Sequence, residues 1–466
     1  MSRERLVVVG ADAGGMTAAS QARRRRGADS LEIIALDRGR HASYSACGIP
    51  YWIGGLVHSV DALVARTVDE FRKQDIEVRL RQEAVGLDLD AGVVTVHDHE
   101  SGHDYPLRFD QLVLGTGAVP VRPDIPGIGA PGVYGVQTLD DGEAVRAAVA
   151  GNGARRAVVV GGGYIGLEMA EAFVERGLDV TVVEAAPQPM STLDPDVGEL
   201  VADAVRTLGI SLLSDEEVTE IRTGAGGEAI GVVTAEREIP ADVVVLGLGV
   251  RPNTALARDA GVKIGVTGGI VTDKRMRTAS HGNVWAAGDC VQTVNLVSSA
   301  PVHVALGTHA NKQGRVAGIN IGGGYATFPG VVGTAVTRVC SLEVARTGLR
   351  EDEADRAGLR YVSTLTRSTT RAGYFPGARP ITIKMIAEKR SGRLLGAQIV
   401  GEEGAAKRID VLATAIWNRM TVEEVSGLDL SYAPPFAPVW DPVLIAARKS
   451  WDAVELDVRA DYTPQP

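Results

Sequence analysis

Cys47 stands alone in the segment 43–51, Ser-Tyr-Ser-Ala-Cys-Gly-Ile-Pro-Tyr, with Cys290 and Cys340 far along the chain. A thiol is both a nucleophile and a two-electron redox group. Without a neighbouring thiol it cannot close an internal disulfide. Its oxidised form must then be a mixed disulfide with a small thiol, a persulfide or a sulfenic acid. The plain alternative is a small buried apolar residue, the usual fate of a free cysteine. Placement favours the redox reading, because the segment follows directly on a dinucleotide-binding pattern.

That pattern begins at the amino terminus. Residues 6–10, Leu-Val-Val-Val-Gly, read as a buried parallel strand that breaks into Gly10-Ala11-Asp12-Ala13-Gly14-Gly15 and then a helix from Met16. Strand, glycine turn and helix together point backbone N–H groups at a pyrophosphate. Asp12 occupies the place of the second glycine of GxGxxG. Asp37, followed by Arg38, ends the next strand where a carboxylate accepts from a ribose hydroxyl. The same grammar recurs at 157–160 and Gly161-Gly162-Gly163-Tyr164-Ile165-Gly166, with a strand at 179–183 closing on Glu184. Two complete units are far more specific than one glycine motif. The first, nearest Cys47, is expected to hold flavin through Gly10, Ala13, Gly14, Gly15, Asp37 and Arg38. The second is expected to hold nicotinamide dinucleotide through Gly161, Gly163, Tyr164, Ile165, Gly166 and Glu184. Glu184 is negative where a 2′-phosphate would sit, which favours NADH, with NADPH possible. Three further turns follow apolar strands and supply Thr116 and Gly117, Gly249, and Asp289. In a flavoprotein Asp289 would face the ribityl chain.

The elements that position these groups need a large α/β chain, and 466 residues with 56 glycines suit one of two to three domains. A net charge of −10 argues against nucleic acid or an anionic membrane as partner. The basic run Arg23-Arg24-Arg25-Arg26 reads as a solvated helix face that could also meet a phosphate. Three cysteines suit a reducing compartment, no apolar run reaches the ~18 residues of a membrane span, and the chain enters its first strand without a leader, so a cytoplasmic protein is expected. The eight histidines lack metal-ligand spacing and there is no CxxC, so no metal is expected. Cys290 and Cys340, the latter read as lying in an apolar strand, are expected to be inert.

On these residues the chain resembles the single-cysteine pyridine nucleotide–disulfide oxidoreductases. Within that group it looks most like the coenzyme A disulfide reductases and NADH-dependent persulfide reductases. The residues carrying the likeness are Ala18-Ala19-Ser20-Gln21-Ala22-Arg23-Arg24, the Cys47 segment, Ala310-Asn311-Lys312-Gln313-Gly314-Arg315 and Tyr432-Ala433-Pro434-Pro435-Phe436. The resemblance implies an α/β fold of two Rossmann-like domains, binding FAD and NAD(P), plus a C-terminal α+β dimerisation domain. The expected boundaries are 1–120 and 254–326 for FAD, 121–253 for NAD(P)H and 327–466 for dimerisation. Gly322-Gly323-Gly324 reads as the linker into the last, and 380–387 and 394–400 as strands of an antiparallel sheet. It also implies a homodimer whose carboxy-terminal domains complete each other's sites.

The implied reaction passes hydride from the nicotinamide to flavin and electrons on to Cys47 in mixed disulfide with a bound small thiol. A helix beginning near 48–50 would help hold Cys47 as a thiolate, with Ser43 donating to the sulfur. The family's asparagine before the cysteine is Ala46 here. By resemblance Tyr374 and Tyr432 of the other subunit protonate the leaving thiolate. Tyr164 covers the flavin until nicotinamide displaces it. Thr17, Gln21, Arg24, Ser43 and Asn311 match substrate positions. Trp440 replaces a lysine expected to face a phosphate, which points to a smaller thiol or a persulfide. Two other functions compete. An NADH oxidase or peroxidase would cycle Cys47 through sulfenic acid, but its loop histidine is Ala13 here. A flavin-bearing redox sensor would show little turnover, and no partner motif supports one.

Overall fold

The computed structural model describes residues 3–151 and 153–462. Four strands rich in Val, Ile and Leu pair in parallel with a fifth, in the order Val284–Ala286, Gln111–Leu114, Glu4–Val9, Leu31–Asp37, Ile76–Leu80. The first strand's Leu6, Val7 and Val8 are wholly buried, as a central parallel strand covered on both faces requires. A second parallel sheet has the order Ser211–Ser214, Asp179–Glu184, Arg156–Val160, Val243–Leu246, Val133–Tyr134. The chain leaves the first unit after Gln111–Leu114 and returns to it for Val284–Ala286. At the crossing, Ala118–Pro120 pairs antiparallel with Val250–Pro252, and Thr116 Oγ1 donates to Asn253 O at 2.6 Å.

The carboxy-terminal unit is a five-stranded antiparallel sheet in the order Ala335–Val339, Leu342–Gly348, Leu394–Gly401, Pro380–Glu388, Tyr361–Thr369. The helix Pro442–Tyr462 packs against it. The alternating segments expected at 380–387 and 394–400 are two of its three inner strands. Cys340 does not lie in a strand. It sits in the turn between Ala335–Val339 and Leu342–Gly348 with φ +58°. The turn excludes it from the ladder. Gly322 closes the helix Gly307–Ile321.

Two contacts set the site's frame. The helices Ala13–Arg25 and Gly307–Ile321 touch backbone to backbone. A Cβ on Gly314 would meet Gly14 O at 2.2 Å, and one on Gly318 would meet Ala18 O at 2.3 Å. Small residues at these spacings let the helices close and bring Thr17 Oγ1 to 2.8 Å from Asn311 Oδ1. Elsewhere Lys384, 4% exposed in its side chain, joins the second sheet's unit to the last. Its Nζ lies 3.2 Å from Asp194, 2.7 Å from Asp196 and 2.9 Å from Glu351. Gln398 Nε2 also donates to Asp194 at 2.6 Å. Of the arginine run, Arg23 and Arg26 are engaged, by Asp75 O and by Glu4, and Arg24 is exposed. No helix among the described residues is long and apolar enough to cross a membrane.

Removing the ammonium while keeping the side chain's bulk leaves Asp194 buried and unpaired. Lys384→Met is therefore expected to lower unfolding stability by about 3 kcal/mol, read from urea denaturation of the flavin-loaded protein. A change under ~0.5 kcal/mol would show that the junction carries no net stability.

Candidate functional site

Each glycine loop is shaped by contact with a neighbouring strand's end. Gly10 has φ +104°, and a Cβ there would lie 2.1 Å from Gly115 O. Gly161 has φ +101°, and a Cβ would lie 2.6 Å from Gly247 O. In both loops the helix opens immediately afterwards, at Ala13 and at Tyr164. The paired acids also play matching parts. Asp37 accepts from the N–H of Ala11 at 2.9 Å and of Gly39 at 2.8 Å. Glu184 accepts from the N–H of Gly162 at 2.6 Å and of Ala186 at 2.8 Å.

The two loops open on one continuous cavity of about 2500 Å³. Drug-sized pockets run roughly 300–1000 Å³, so this one has room for two extended dinucleotides. Its wall contains Gly10, Ala13, Asp37, Arg38, Thr116, Gly117 and Asp289 at one end, and Gly161, Gly163, Tyr164, Ile165, Glu184 and Gly249 at the other. Gly14, Gly15 and Gly166 are buried in the first turns of the two helices, outside the wall. A Cβ on Gly117 or Gly249 would meet nothing within 4 Å, so both leave bare backbone facing the space. The dinucleotide cofactors expected from the sequence fit these residues: two amide-lined loops, each beside a carboxylate already fixed by backbone N–H groups.

Cys47 and Ser43 line this same cavity, and Cys47 is exposed to it while Cys290 is buried. Tyr44 to Ala46 and Pro50 and Tyr51 surround the thiol. The helix expected to begin near 48–50 is present as Ile49–Gly54, with Gly48 as its N-cap and Cys47 in the 3-10 turn Ala46–Gly48 just before it. The thiolate expected from that helix end meets opposing groups. Burial in the wall pushes the Cys47 thiol up, and Glu168, Asp289 and Asp12 add negative charge in the same direction. Asp37 and Asp289 are themselves held up by burial. The chain's own groups therefore oppose a thiolate.

Glu168 was given no role by the sequence. It lies one turn beyond Tyr164 on the same helix face, and that i, i+4 spacing from a loop residue was the available signal. Its Oε1 accepts from Thr337 Oγ1 at 2.7 Å, its carboxyl lies near Tyr51, and burial pushes it up. It thus ties the second loop's helix to the last sheet and stands beside the Cys47 helix. Glu216 and Glu217, also unassigned, line the cavity beside Glu184.

Of the remaining substrate positions, Thr17, Gln21 and Arg24 lie outside this wall. Asn311 lines it and bonds Thr17, whereas Gln21 packs toward Gly318 and Arg24 points to solvent. Tyr374 and Tyr432 lie close to each other, are 77% and 47% exposed, and do not line the cavity that holds the Cys47 of their own chain. The reading of Trp440 as a lost cation needs correction, because the Arg448 guanidinium lies 5.2 Å over the indole. The helix Pro442–Tyr462 returns a positive charge to that place. Among the described residues no group of His, Cys, Asp or Glu is arranged to hold a metal ion.

Residues 4–314 match the family described as pyridine nucleotide-disulphide oxidoreductase, and residues 334–442 match its dimerisation domain. An NADH oxidase of Methanocaldococcus jannaschii is 36% identical over 446 residues, covering 95% of this chain and 98% of its own. A CoA-dependent NAD(P)H sulfur oxidoreductase of Pyrococcus furiosus is 36% identical over 450 residues, covering 96% and 99%. The solved structure of an NAD-dependent persulfide reductase from A. fulgidus superposes with a TM-score of 0.93 at 40% identity, over 97% of this chain and 84% of that one.

Two outcomes follow from these charges. In flavin-free protein, the pH midpoint for alkylation of Cys47 by iodoacetamide is expected above the ~8.5 of an ordinary thiol. A midpoint below that value would contradict the part given to the three carboxylates. With Glu184, Glu216 and Glu217 at the ribose end, kcat/KM for NADH should exceed that for NADPH by roughly ten- to hundredfold, about 1–3 kcal/mol. Equal values would refute it.

Proposed function

The chain belongs to the pyridine nucleotide-disulphide oxidoreductases, and from that membership we propose that Cys47 is the redox centre of an enzyme that reduces disulfides or persulfides of coenzyme A or a similar small thiol. The protein is an FAD-dependent NAD(P)H oxidoreductase. The observation that carries the reading of Cys47 is its position: one exposed thiol, without a second cysteine beside it, in the wall of a cavity that both glycine loops share. We divide the chain as the sequence suggests, with a flavin unit of 1–120 and 254–326, a nicotinamide unit of 121–253 and a pairing unit from 327 onward. A homodimer in the cytoplasm suits this composition.

When bound, FAD takes a hydride from NAD(P)H and hands two electrons to the disulfide at Cys47. Cys47 begins in a mixed disulfide with a small thiol. Two electrons and one proton break that S–S bond, release the small thiol and leave Cys47 as a thiolate. The thiolate attacks the next substrate disulfide, forming a new mixed disulfide and expelling the other half as a thiolate. With a persulfide the expelled group is hydrosulfide. Tyr374 and Tyr432 of a second copy supply the proton to that leaving sulfur. Their exposure side by side on the single chain supports this. Ser43 donates to the Cys47 sulfur. Asn311 faces the substrate, steadied by Thr17, while the exposed Arg24 offers a cation at the rim and Trp440 and Arg448 contribute an apolar face and a second cation.

A second reading is favoured by the M. jannaschii relative: oxidation of NADH by oxygen through a Cys47 sulfenic acid. Ala13 offers only a methyl group where that chemistry would use an imidazole. The two readings separate in one experiment. Without oxygen, NADH consumption should depend on coenzyme A disulfide, coenzyme A persulfide or polysulfide. Cys47→Ser should abolish it, by about a hundredfold or more, while flavin stays bound and reducible by NADH. Retention of most disulfide reduction in Cys47→Ser would overturn the reading.

A further inference from the structure

Asp12 stands where a dinucleotide loop ordinarily has its second glycine, and the flavin contacts alone give no reason for a carboxylate there. The structure gives one. Asp12 Oδ1 accepts from the N–H of Tyr44 at 3.2 Å, and next to it the N–H of Ser43 donates to Ala11 O at 2.9 Å. The loop carrying Cys47 is thus fastened to the first glycine loop at two successive residues. Its other side is held by Ser45 N to Leu63 O at 2.7 Å and by Ala65 N to Ser43 O at 2.8 Å. Of these four bonds only the one to Asp12 uses a side chain. The loop also has to be held, because Ser43 has φ +50°, a left-handed conformation that costs a non-glycine residue of order 1 kcal/mol.

We propose that Asp12 is a positioning residue for the proposed reaction: its carboxylate clamps the segment 43–47 onto the flavin loop and so sets where the Cys47 sulfur stands in the cavity. The inference rests on the reading of Cys47 as the redox centre. Glycine at this place would leave the Tyr44 N–H without that acceptor. The remaining backbone bonds would keep the fold but let the thiol shift. A displacement of ~1 Å at a reacting sulfur is enough to cost one to two orders of magnitude in rate.

Asp12 also brings charge. It faces Asp37 and Asp289 as well as Cys47, and Glu168 faces the thiol from the helix of the second loop. Burial holds the Asp12 carboxyl up at about 6. At neutral pH it is therefore ionised and opposes loss of the Cys47 proton. Position and charge make separate demands, and two substitutions divide them. Asp12→Asn keeps an acceptor for Tyr44 and removes the charge, whereas Asp12→Ala removes both.

The test compares both variants with the unaltered, flavin-loaded protein. Turnover is measured with NADH and coenzyme A disulfide, and with NADH and ferricyanide, an outer-sphere oxidant that draws electrons from flavin without using a thiol. Flavin content and the pH profile of Cys47 alkylation are read on the same samples. Asp12→Ala should lose disulfide turnover by about tenfold or more relative to ferricyanide turnover. Asp12→Asn should keep it within about threefold and shift the alkylation midpoint to lower pH, as removal of a nearby negative charge requires. Equal losses with both oxidants, or a loss of flavin in both variants, would make Asp12 a cofactor-binding residue and overturn the proposal. Unchanged disulfide turnover in Asp12→Ala would overturn it as well. A Cys47→Ser control that still reduced the disulfide would instead remove the reading of Cys47, so the two failures are distinguishable.

Discussion

The site depends on a close approach of backbones. Gly10 lies against the carbonyl of Gly115, and Gly161 against that of Gly247, at separations where a Cβ would need to stand 2.1 and 2.6 Å from oxygen. This approach lets each helix start immediately above a strand end with its first N–H groups turned to the cavity. It also fixes the acids. Asp37 and Glu184 are held by loop amides, so each carboxylate keeps its place before any ligand arrives. Close packing at the loops, and not the acids' charge, sets the geometry on which the rest of the wall is built.

The charges in that wall work against the chemistry proposed for Cys47. Burial raises the thiol, and Glu168, Asp289 and Asp12 add to it, although the helix Ile49–Gly54 begins just beyond the cysteine. Between turnovers, a Cys47 freed without substrate would be held toward the thiol, which reacts slowly with stray oxidants and electrophiles because the thiolate is the reactive species. Its activation is then tied to the release of a thiolate directly by electron transfer into a mixed disulfide. Glu168 adds a mechanical part, since it accepts a hydrogen bond from Thr337 in the last sheet while standing near Tyr51 beside the cysteine.

Much of the architecture was legible in the sequence because parallel strands buried on both faces are written as unbroken apolar runs, and each ended in a glycine turn that only a few structures use. The second unit read cleanly for that reason. Legibility failed where three-dimensional neighbours decide. Cys340 follows an apolar run, so it read as strand, but the hairpin turns at that residue with φ +58°. The thiolate expected at Cys47 was argued from a local helix end, while charges that oppose it come from elements more than a hundred residues away, Glu168 on the helix Tyr164–Glu175 and Asp289 in a strand-end loop. Trp440 read as a missing charge because Arg448 lies on the next helix, and no linear pattern shows a guanidinium folding back over an indole.

The strand pair Ala118–Pro120 and Val250–Pro252 holds the entry and exit of the second unit side by side. That makes the second unit an insertion with adjoining ends, and it orders the birth of the protein on the ribosome. The first sheet cannot be finished until Val284–Ala286 emerges to join Gln111–Leu114, a contact such as Trp285 Nε1 to Gln111 Oε1 that spans 174 residues. The inserted unit, whose strands all lie between 133 and 246, has left the tunnel by then. The guest can therefore close before its host, and while it does so the host's unfinished edge at Gln111–Leu114 stands open to wrong pairing.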